Sequence, residues 1–123
     1  MVAPPSQPMA PTVQTLSFPL QAVNQPLAGM ALVDSREGSY TLTVQVSGMA
    51  PGSVHSVHLH FGTCPTAGVH LLVLGTLHAG PAGTASVVLR LPGTFVGDGR
   101  FVIVYVGPSA GPLGGCAQLS GRN

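Results

Sequence analysis

Lysine and tryptophan are absent from this chain, and charge is scarce: four arginines and three carboxylates make up 6% of its 123 residues. The arginines (Arg36, Arg90, Arg100 and Arg122) are scattered, and the formal net charge is +1. That excludes the clustered positive surface which nucleic acid or anionic lipid requires. With no Trp and two Tyr, stacking platforms for single strands are also missing. No apolar run approaches the roughly 20 residues of a membrane span, so none is expected. A secretory leader is lacking too: "MVAPPSQPMAP" has neither a basic start nor an apolar stretch. If the protein is exported, its leader is expected to have been lost.

What the chain does have is 45% hydrophobic residues, 17 Gly and 12 Pro. This is too apolar for a disordered tail and too punctuated for long helices. Residues 1–12 read as a Pro-rich flexible segment and residues 13–123 as one domain. The period is that of strands. In "SYTLTVQVSG", Leu42, Val44 and Val46 alternate with Thr41, Thr43, Gln45 and Ser47, the pattern of a half-buried strand. "TVQTLSF", "MALVD", "VHSVHLHF", "LLVLGTLHA", "TASVVLRL", "RFVIVYV" and "CAQL" complete about eight strands, with "SREG" a tight hairpin turn. "PGTFVGDG" and "GPSAGPLGG" read as loops. The implied architecture is all-β, an antiparallel sandwich or flattened barrel.

Cys64 and Cys116 are the two cysteines, 52 positions apart, which rules out a CxxC redox or zinc motif. A structural disulfide is the favoured reading, with a metal or redox pair the other. A bond there would tie the loop after Phe61 to the last strand and imply an oxidising compartment, periplasmic or extracellular.

Four of the five histidines lie between His55 and His70. His58 and His60 are two apart on an expected strand, so both leave the same face, a natural pair of metal ligands. His55 falls on the opposite face and suits a role behind the ligands or in the backbone. His70, six residues after Cys64 in an expected loop, is a candidate third ligand. His78, beside a turn, reads as a surface residue. An imidazole-rich set without thiolate suits copper or zinc, and spacing alone does not choose between them. Other schemes find little support: Asp34 and Glu37 flank a turn, Asp98 stands alone, and no nucleophile elbow is visible.

Between Leu42 and Leu119 the order of motifs resembles the copper/zinc superoxide dismutases. "SGMAPGSVHSVHLHFGTC" is similar to the family's turn, histidine loop and His-x-His strand, and "CPTAGVH" to its disulfide-to-bridging-histidine segment. "GRFVIVYVG" resembles the strand of the last copper histidine, and "GPLGGCAQL" the C-terminal cysteine segment. The resemblance implies an eight-stranded Greek-key sandwich, copper on His58 and His60, His55 behind them, and a Cys64–Cys116 disulfide. His70 matches the bridging histidine counted from Cys64, where it would also be catalytic, and a zinc histidine counted back from Gly75. The departures are large. The zinc loop is deleted, so zinc is not expected. Tyr105 stands at the fourth copper histidine, as an axial or capping residue, and Leu113 replaces the active-site arginine.

Three readings follow. The first is an exported, copper-binding, dismutase-like protein with weak activity at most, acting on superoxide. The second is a periplasmic copper carrier or buffer serving an exchange partner, and the third a degenerate, non-catalytic sandwich module. A dimer is compatible with all three.

Overall fold

The computed structural model describes residues 14–92 and 99–119. The expected flexible segment, residues 1–12, lies outside them, as does most of the "PGTFVGDG" loop. The described residues form nine strands: β1 (Gln14–Pro19), β2 (Gln21–Ala22), β3 (Ala28–Arg36), β4 (Ser39–Ser47), β5 (Val54–Thr63), β6 (Thr66–His78), β7 (Ala85–Leu91), β8 (Arg100–Tyr105) and β9 (Leu113–Leu119). There is no helix among the described residues. A four-stranded sheet runs β1-β3-β4-β7 and a five-stranded sheet β2-β9-β8-β5-β6, with all strand pairs antiparallel.

The alternation read from the sequence decides how the sheets meet. Val33 of β3 and Leu42, Val44 and Val46 of β4 join Val57 and Leu59 of β5, Val102 and Val104 of β8, and Ala117 and Leu119 of β9 in one buried cluster. Each large aliphatic side chain removed from water contributes about 1.5–3 kcal/mol before entropy is set against it. The other face of the five-stranded sheet carries a second, smaller cluster. Phe101, Ile103, Tyr105 and Cys116 are buried there, with Cys64 and Leu113 packed against them. The β3–β4 hairpin turns at Glu37 and Gly38, both at positive φ (50° and 79°), as a two-residue loop matching the strand twist requires.

Two expectations are corrected. His70 does not lie in a loop: β6 begins at Thr66, and β5 and β6 form one long hairpin around Cys64 and Pro65. Gly68 lies where two backbones come close, since a Cβ on it would stand 2.6 Å from the carbonyl oxygen of Phe61. The last described strand starts at Leu113, not at Cys116, and the short β2 beside it brings the strands among the described residues to nine.

The β5–β6 register shifts by one residue at three places: between Val57 and His58, between Leu59 and His60, and between His60 and Gly62. Such bulges re-aim side chains. Leu72 pairs with Leu59 and packs against the main core, whereas His70, two residues away, pairs with His60 and is exposed. β5 and β8 pair without a shift from Val57↔Val104 to Phe61↔Arg100, so the faces of β5 are fixed from that side.

Candidate metal centre

His58 and His60 stand on the outer face of the five-stranded sheet because Val57 and Leu59 occupy its inner face. Across the strands, His58 is opposite Ile103, and His60 is opposite Phe101 on one side and His70 on the other. The three rings converge. The His58 and His60 rings stack with centroids 6.0 Å apart, and the His70 ring stands edge-on to both, at 4.8 and 5.1 Å. One ligand nitrogen from each can be chosen so that all three lie within 4.8 Å of one another. With metal–imidazole bonds of roughly 2.0–2.1 Å, two ligands of one ion are at most about 4.2 Å apart. A pair at the 4.8 Å limit has about half an ångström to close to sit trans on one ion, and more at smaller angles; with that adjustment the group could hold a metal ion.

The hydrogen bonds say which nitrogens face inward. His60 Nδ1 lies 3.2 Å from the carbonyl oxygen of Gly68. A carbonyl can only accept, so Nδ1 carries the proton and Nε2 keeps the lone pair. His58 differs. Its Nε2 is 2.9 Å from the hydroxyl of the buried Ser56, which leaves Nδ1 as its ligand atom. A metal on Nδ1 requires the ring proton on Nε2, donated to Ser56. Anchoring each ring through its far nitrogen fixes tautomer and direction, as metal sites require. The His70 side chain is exposed, and its ring makes no hydrogen bond among the described residues.

Tyr105 joins the group. Its hydroxyl is 3.2 Å from His60 Nε2, and its ring meets that of His58 edge-on at 4.8 Å. Since Nε2 is the acceptor, the phenol donates. Burial raises the phenol pKa above its ordinary 10.0, so it keeps its proton at neutral pH. The His58 pKa is lowered from 6.5, first by desolvation and then by the neighbouring charges of His70 and His60, which favours the neutral, ligating imidazole.

His55 sits apart. It is 1% exposed, its Nδ1 donates to the carbonyl oxygen of Tyr105 (2.8 Å), and its Nε2 accepts from Ser53 (2.8 Å). It thus holds the backbone of Tyr105 and touches none of the three clustered rings through a hydrogen bond. His78 is exposed at the far end of β6. Cys64 and Cys116 form a disulfide with Cα atoms 5.8 Å apart, in the same small cluster as Tyr105.

Sequence reasoning missed Ser53, Ser56 and Gln118. The signal for the serines was legible: "SVHSVH" repeats one tripeptide, and in each copy the serine bonds the Nε2 of the histidine two residues on. Gln118 staples the hairpin end, accepting from the Cys64 amide (2.8 Å) and donating to the carbonyls of Gly62 (3.2 Å) and Arg100 (3.1 Å). Nothing in its sequence context singled it out. Two surface grooves, of about 450 and 340 Å³, lie on the four-stranded sheet, and neither is lined by a histidine.

No protein-family model matches the chain, and no curated protein matches it. No helix of the described residues is long and apolar enough to cross a membrane.

Proposed function

We propose that this chain is an exported copper-binding protein built on a superoxide dismutase-like Greek-key sandwich, with His58 Nδ1, His60 Nε2 and one nitrogen of His70 as the ligands. The observation that carries this reading is the convergence of three imidazoles, two of them anchored through their other ring nitrogen by Ser56 and by the Gly68 carbonyl. A cluster of imidazoles without carboxylate or thiolate suits copper or zinc over oxygen-seeking cations. The motif order favours copper, since, apart from the position His70 takes, the zinc site's histidines and its aspartate in the resembled family have no counterparts here.

Bound copper would supply a one-electron redox couple. The chain's own residues orient it and shield one side: Leu59 closes the sheet beneath, and Tyr105 and the disulfide cluster flank it. His70, at the solvent edge, is placed to exchange a proton with water or with an arriving anion. With a net charge of +1 and no lysine, the chain offers little field to draw superoxide in, so dismutation is proposed as slow. A second reading, a carrier that hands copper to a partner, is favoured by the exposure of His70.

Titration of metal-free protein with Cu(II), followed by electron paramagnetic resonance, tests the site. Wild type should bind one ion with nitrogen splitting from imidazoles, and His58→Ala and His70→Ala should bind it far more weakly. Equal, poor uptake by all three would refute the reading. A dismutase assay on the loaded protein separates the two roles, since rates no faster than buffer leave only the carrier.

A further inference from the structure

We propose that Tyr105 is a latch on the metal centre: in the metal-free protein its hydroxyl proton occupies the His60 lone pair that a metal must use, so it competes directly with copper. This rests on the copper-site reading above. The direction of the chain of hydrogen bonds is forced. The Gly68 carbonyl accepts from His60 Nδ1, so Nε2 is unprotonated, and the Tyr105 hydroxyl 3.2 Å away donates to it. One lone pair cannot serve a proton and a metal together. The side chain is well held where it competes. Tyr105 is 5% exposed, its ring abuts His58 at 4.8 Å, and His55 fixes its backbone carbonyl at 2.8 Å.

The latch has two effects. It keeps the metal-free site ordered, holding the His60 ring in its ligating orientation. It also weakens retention, because copper binding strips a buried hydroxyl of its acceptor and copper release restores that bond. A site so arranged exchanges its metal; it does not sequester it.

Tyr105→Phe keeps the ring and removes the hydroxyl alone. Competition against a chromophoric chelator should show the variant holding Cu(I) and Cu(II) about tenfold or more tighter than wild type, the scale of a lost buried hydrogen bond. Release to excess chelator should slow in proportion. In metal-free wild type, ¹⁵N resonances should show His60 protonated on Nδ1, with Nε2 hydrogen-bonded. That measurement stands even if the variant misfolds, and a proton found on Nε2 instead would overturn the proposal. Affinities equal within threefold would sink the latch and leave the copper site standing. Weaker binding by the variant would make the hydroxyl a ligand and also refute it. No copper bound by either protein would remove the copper-site reading together with the latch.

Discussion

Reducing the Cys64–Cys116 disulfide should remove about 4 kcal/mol of stability. The two cysteines are 52 positions apart. Chain-entropy arithmetic for a loop of that size gives roughly 14 cal/mol/K lost by the unfolded chain, about 4 kcal/mol at room temperature. Reduction is a cleaner perturbation than substitution, because Cys116 is fully buried and replacing its sulfur would add a packing loss. Domains of this size hold some 5–15 kcal/mol in all, so the loss is a large share of the total. The assay is urea unfolding of oxidised and thiol-reduced wild type, each metal-free. With a slope of about 2 kcal/mol per molar urea, the midpoint should fall by about 2 M. A midpoint that moves by less than about 0.5 M would refute the reasoning. The unfolded chain would then already be compact without the link, or the fold would be held almost entirely by the sheets.

Two further outcomes concern the histidines. Because the folded pKa of His58 lies below its ordinary 6.5, the unfolded chain binds more protons than the folded one as pH drops through 6.5. Metal-free wild type should therefore lose stability from pH 7.5 to 5.5, and His58→Gln should lose less, as read from urea midpoints; equal losses would contradict the assigned cause. Ser56→Ala frees the far nitrogen of His58 and should weaken copper binding 10- to 100-fold, the usual cost of losing a partner behind a ligand, with little change in far-ultraviolet circular dichroism. Unchanged affinity in a chelator competition would show that Ser56 does not set the ring's direction.

Most of the sandwich was legible because its strands alternate cleanly: Leu42, Val44 and Val46 point inward as their spacing requires. The His58–His60 pair was legible for the same reason. The bulges were not. Three single-residue register shifts carry His70 opposite His60, and nothing in "CPTAGVHLLV" marks them. The segment around Cys64 up to His70 was expected as a loop, yet only Cys64 and Pro65 form the hairpin turn, and Gly68 serves a close backbone approach within β6. The anchors behind the ligands depend on pairing partners. Gly68 reaches His60 through a carbonyl, which no side-chain pattern announces. Ser56 could have been found from the doubled tripeptide.

That doubled tripeptide sets a rule for how β5 tolerates changes in length. The Ser-Val-His unit repeats every three residues, while side chains on a strand alternate every two, so one copy serves each side of the sheet. Excising either copy would spare a complete Ser-Val-His, yet an odd change in length would exchange inside for outside across whichever part of the strand slid. Leucine would be driven into water and imidazole into the core. An indel of two residues preserves the facing order, so variation in this segment should come in even steps.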